Sequence, residues 1–153
     1  MNNGKLNSQN IVIASEVVLG VLFLMCGCFI YLMFRSENIN LYQWCSSIGL
    51  TNSIEQLRNR VSDYQVSEFT RFSLPDGLYC ASYIFVIDAI WHNEKILRHW
   101  IVALIPAIAL FNEILQYFGV VNGTFDWYDL ICYSTPLLLY YFIFFYFNKT
   151  KRL

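Results

Sequence analysis

Five polar side chains near the C-terminal half of the chain have the types and spacing for chemistry: Glu113, Gln116, Asp126 and Asp129, with Asp76 further upstream. Glu113 and Gln116 are three residues apart, and so are Asp126 and Asp129, so each pair shares one face of a helix. Carboxylates gathered at one level cannot all remain ionised and unpaired. Some hold protons, or an arginine folds over them, or they bind a cation or an amine. Arg71, Arg58 and Arg60 are the arginines within reach in sequence, and Arg71 is the nearest to Asp76.

These residues must be positioned by segments that are far too apolar for an ordinary soluble domain. Of 153 residues, 57% are hydrophobic and 14% charged, with a net charge of −1. The expected fold is all-α, a bundle of four transmembrane helices at about 11–34, 77–91, 97–118 and 127–147, forming one domain over residues 1–153. The second run is short, which suggests that it begins within Phe69 to Pro75 or tilts little. The first run is too long for a cleaved signal peptide and lacks a small-residue cleavage pattern.

Orientation follows from the basic residues. Lys5, Lys95, Arg98, Lys149, Lys151 and Arg152 share one side of a four-span bundle, against Arg35, Arg58, Arg60 and Arg71 on the other. Both termini are therefore expected in the cytoplasm, with an extracytoplasmic loop over about 36–73. Within that loop Asn52 to Val61 reads as a short amphipathic helix, with Ile54, Leu57 and Val61 on one face and Arg58 and Arg60 on the other. It either lies on the membrane surface or packs as a lid on the ends of the spans.

On this topology Glu113 lies roughly 24 Å into a hydrocarbon core of about 30 Å. Asn122 and Gly123 signal the chain reversal, Asp126 is a candidate N-cap of the fourth span, and Asp76, after Leu74 and Pro75, a candidate cap of the second. Capping accounts for Asp76 and Asp126. It does not account for Glu113, which sits at the C-terminal end of its helix, where the macrodipole disfavours negative charge.

The other polar and thiol groups have ordinary readings. Glu16 and Asp88, near the cytoplasmic ends of the first two spans, pair locally with Lys95 or Arg98, or belong to a proton path or an assembly. His92 and His99 read as polar trim of a tight cytoplasmic turn. Cys45 and Cys80 fall near the outer face and could pair if it is oxidising, whereas Cys26, Cys28 and Cys132 lie within spans. No Cys/His spacing suggests zinc, no glycine-rich turn suggests a nucleotide cofactor, and the scattered basic residues argue against nucleic acid.

The Glu113-x-x-Gln116 pair, a turn, then Phe125-Asp126-x-x-Asp129 resembles the characteristic block of VanZ-like membrane proteins, and Leu74-Pro75-Asp76 is similar to the element that opens an earlier span in that family. The resemblance spans about Leu74 to Pro136. Two positions depart from it: Gly123 stands where the family usually has an arginine, and Tyr133 where it usually has an asparagine. Loss of that arginine removes the obvious counter-charge, a role Arg71 could fill.

The resemblance implies a protein of the bacterial cytoplasmic membrane and cell envelope, associated with resistance to glycopeptides such as teicoplanin. The leading expectation is an acidic rim at the outer leaflet, formed by Glu113, Gln116, Asp126, Asp129 and Asp76 with Arg71, that binds a membrane lipid or a lipid-linked or amine-bearing envelope component, without a cofactor. A second is a subunit or scaffold of a larger membrane assembly or a homo-oligomer, suggested by the aromatic run Leu139 to Phe147 and by Gly20 and Gly27, seven residues apart. A third is a transferase or hydrolase with Glu113 as general base and Asp129 or Asp126 holding a divalent metal. Against the third stands the lack of a nearby histidine, nucleophile elbow or phosphate-cradling basic cluster.

Overall fold

Backbone amides carried into hydrocarbon must be satisfied within their own segment, which favours helices for a chain this apolar. The computed structural model describes residues 3–94 and 96–150. Among them the regular structure is entirely helical: α1 (Asn3–Phe34), α2 (Asn40–Ser47), α3 (Thr51–Val61), α4 (Glu68–Ile90), α5 (Leu97–Tyr117) and α6 (Trp127–Thr150). Three stretches are long and apolar enough to cross a membrane: Gln9–Phe34 in α1, Leu97–Tyr117 in α5 and Trp127–Phe145 in α6. Their side chains are turned largely outward, as Met25 at 62% exposure, Leu104 at 53% and Phe142 at 69% illustrate. An outward face of this kind suits lipid rather than water.

The fourth long helix, α4, is different in kind. It carries Glu68, Arg71, Asp76 and Asp88 among small residues, and it packs on α1, α5 and α6. Its buried positions include Ser73, Gly77, Cys80, Ser82 and Ala89, which let neighbouring backbones approach closely. A β-carbon built on Gly77 would lie 3.0 Å from that of Cys132 on α6. The α1–α4 contact, the most extensive in the molecule, rests on the same device. β-carbons at Gly20 and Gly27 would approach Val86 to 2.6 Å and Tyr79 to 2.8 Å. The glycine stripe of α1 therefore faces α4 within the same chain.

Helix α4 begins at Glu68, ahead of the apolar run 77–91 and one residue before the Phe69 to Pro75 stretch in which an earlier start was expected. Ser67 is its N-cap, with its hydroxyl accepting from the Thr70 amide at 3.2 Å, and Pro75 is buried inside the helix. Asp76 is therefore not a cap, since it stands more than two turns beyond the start. Capping chemistry at Ser67 set the boundary, and a proline in a well-packed helix did not break it.

Helices α2 and α3 fold against the C-terminal end of α1, where Met33, Tyr42 and Ile54 form a buried cluster. Arg58, expected opposite Ile54, lies on the same side, because residues four apart on a helix are neighbours. Its Nε donates to the Leu32 carbonyl at 2.7 Å and its Nη2 to the Arg35 carbonyl at 2.8 Å. The last turn of α1 has no basic residue of its own. Arg58 supplies that charge to the free carbonyls and stacks over the Tyr42 ring, 4.8 Å from its centroid. Cys45 and Cys80 are both free thiols, with Cys80 buried in α4, so the pairing considered from sequence does not occur.

Candidate functional site

The candidate rim is built where α5 ends, α6 begins and α4 passes between them. Glu113 is 5% exposed, and its Oε2 accepts from the Asp126 backbone amide at 3.4 Å. This contact answers the difficulty posed by its own helix dipole: the carboxylate sits at the C-terminal end of α5 but engages the amide-rich N-terminal end of α6. Asp126 caps α6 as its position suggests, with Oδ1 accepting from the Tyr128 amide at 2.8 Å. Asp76 accepts from the Tyr133 hydroxyl at 3.5 Å, a link between α4 and α6. The charges of Asp129, Asp126 and Asp76 all act on the Glu113 carboxylate, so the structure brings the four acids into one electrostatic neighbourhood.

Asp129 is the member of this set without an internal solution. Its Oδ1 is buried and has no hydrogen-bond partner. No ion pair involves any of the four rim acids among the described residues. Arg71 does not fold over them: it is exposed and forms no ion pair among the described residues. Arg35 is the cation whose charge reaches Asp76, and it is held by a bond from Nη2 to the Phe72 carbonyl at 3.3 Å and by stacking on Tyr31 and Phe72. The structure thus puts Arg35 in the role the sequence offered to Arg71, because α1 lies against α4 and ends beside Phe72. Sequence distance gave no sign of this.

Gln116 packs directly on the turn. A β-carbon at Gly123 would lie 2.6 Å from the Gln116 side-chain amide carbon, and Gly123 has a φ of +149°, a conformation that favours glycine. A side chain at position 123 would push the flexible Gln116 amide aside, and the positive φ is the firmer reason for glycine there. Tyr133 was missed as a rim residue, since a tyrosine inside an aromatic helix looks like packing until its hydroxyl is located. No group of three or more His, Cys, Asp or Glu residues among those described stands in an arrangement that could hold a metal ion.

A second polar cluster lies at the other end of the bundle. Arg98 Nε is 3.1 Å from Asp88 Oδ1, and that same oxygen accepts from the Tyr140 hydroxyl at 2.6 Å. The pairing of Asp88 with Arg98 agrees with their depths. Lys95, the other cation considered, lies outside the described residues, as do Lys151 and Arg152. His99 is more than turn trim: it is inside α5, with Nδ1 2.9 Å from the Tyr140 hydroxyl and its ring against Phe144. The α5–α6 packing drew it inward, a contact no local pattern announces.

Among the described residues the regular structure is all helical and three helices are apolar and of membrane-spanning length, which is compatible with a multi-pass membrane protein. No protein-family model, no curated protein and no solved structure matches the chain.

Proposed function

We propose that this is a small VanZ-like membrane protein of the bacterial cytoplasmic membrane, with α4 as a fourth span beside α1, α5 and α6 and both termini in the cytoplasm. On this reading the loop carrying α2 and α3 is extracytoplasmic, and the acidic rim lies at the outer leaflet. There it binds a lipid-linked or amine-bearing envelope component, with Asp129 as the principal acceptor, Glu113 beside it and Gln116 lining the turn. The observation that carries the reading is the buried, partnerless Oδ1 of Asp129 in a group of four acids that has no ion pair among the described residues. A buried polar atom left unsatisfied costs roughly 1 to 3 kcal/mol, and a ligand donor would recover that.

Native mass spectrometry from mild detergent tests this directly, with wild type beside a Glu113→Gln, Asp129→Asn double variant. A specific adduct on the wild type that disappears from the variant is expected; identical spectra would refute the rim as a binding site. The link to glycopeptides is tested by teicoplanin susceptibility of cells with no protein, wild type, or Glu113→Gln. Equal susceptibility in all three removes that part of the proposal.

A further inference from the structure

Between α1, α4 and α6, at the end of the bundle remote from the rim, lies a cavity of about 540 Å³. Asp76, beside the rim, and Asp88, near the C-terminal end of α4, are twelve residues apart, about 18 Å along a helix. The volume is of the size that holds a small organic ligand. Its walls are mainly apolar, including Phe23, Phe85 and Phe144, with Phe23 and Phe85 stacked at 5.6 Å between centroids. Its polar lining includes Glu16, Asp88, Arg98 and His92.

The charges there do not balance. Asp88 is matched by Arg98 at 3.1 Å, while Glu16, which lies against Asp88 and feels the same Arg98 charge, forms no ion pair with that arginine. The nearest candidate is His92, whose Nδ1 stands 4.0 Å from Glu16 Oε2, and both atoms are buried without a hydrogen-bond partner. Two unsatisfied acceptors 4.0 Å apart suit a single donor set between them, with the His92 proton on Nε2. Both atoms are closed off by their neighbours as the side chains stand, so an ammonium reaches them after a shift of the partly exposed Glu16 and His92 side chains, and it would then satisfy both and neutralise Glu16. A water molecule could make the same bonds but would leave the charge. A phosphate or carboxylate is disfavoured, because the one arginine in the lining is already committed to Asp88.

We propose that this cavity binds a free hydrophobic amine, its apolar body against Phe23, Phe85 and Phe144 and its ammonium between Glu16 and His92. The site is independent of the rim and of the function proposed for it. Its test uses the full chain in phosphatidylcholine nanodiscs, titrated with pyrenemethylamine and with the neutral pyrenemethanol, after subtraction of protein-free discs.

Saturable one-to-one binding of the amine is expected. The alcohol, Glu16→Gln, and Ala81→Phe, which projects a ring into the cavity, should each weaken binding about ten-fold or more, the range of a lost charge-assisted bond. Equal binding of amine and alcohol by the wild type overturns the proposal, and that comparison needs no variant, so it decides even where a substitution unfolds the chain. Equal amine affinity in wild type and a folded Glu16→Gln overturns it as well. Discs containing phosphatidylethanolamine should bind the probe equally well; loss of binding there would make a lipid headgroup the occupant and reject the free amine.

Discussion

Glu113 illustrates how one carboxylate can hold a structural role beside the binding role proposed for it. Its Oε2 accepts the Asp126 amide across the α5–α6 turn, so part of its burial is offset by a bond within the chain. The two roles separate by substitution. Glu113→Gln keeps an oxygen for that amide while removing the charge, whereas Glu113→Ala leaves the amide unsatisfied. Thermal unfolding in detergent should show Glu113→Gln close to wild type and Glu113→Ala less stable by roughly 1 to 3 kcal/mol. Equal losses in both would mean that charge, not the amide bond, holds Glu113 in place. The acid types and their three-residue spacings were legible in the sequence. Which acid has a partner was not, because the partner amide belongs to the next helix.

At the scale of elements, the end of α1 shows how a short helix can serve a long one. Arg58 brings two hydrogen bonds to α1 carbonyls from α3, while its contact with Glu37 is a 3.5 Å pair whose acid is 63% exposed. Bonds from a partly buried cation to carbonyls count for more than a solvent-screened ion pair. Arg58→Ala should therefore destabilise the protein by about 2 kcal/mol and raise protease cleavage near α3, while Glu37→Ala should change stability by under about 0.5 kcal/mol; denaturation of the two variants side by side checks the order. The sequence located α3 to within a residue at its start and matched its end. It misassigned the face of Arg58, since Ile54 and Arg58 are one helical turn apart and point the same way.

For the molecule as a whole, the central question is how many helices cross the membrane. Helix α4 has 23 residues, long enough for the task, yet it falls outside the three stretches that qualify by apolarity. Enclosure by α1, α5 and α6 supplies a physical reason: a helix screened from lipid by its neighbours can carry Asp76 and Asp88 on inward faces. The proposed four-span topology puts both termini on one side. Reporter fusions at the C-terminus should accordingly fluoresce as a cytoplasmic fluorescent protein and stay inactive as alkaline phosphatase, whereas fusions at the loop near Asn38 should do the reverse. Opposite results at the C-terminus would support three spans and a different placement of the rim.

The helical class, the length and apolarity of α1, α5 and α6, and the presence of acids at the α5–α6 turn were legible from the residues alone. Those properties follow from composition and local periodicity, which act within a single segment. Packing between helices was needed to show that Arg35 rather than Arg71 faces the rim and that His99 and Tyr133 belong to polar clusters. Each of these depends on two helices meeting at a particular depth. Glycines at 20, 27 and 77 set how closely the helices approach, and the partner across each contact is far away in sequence.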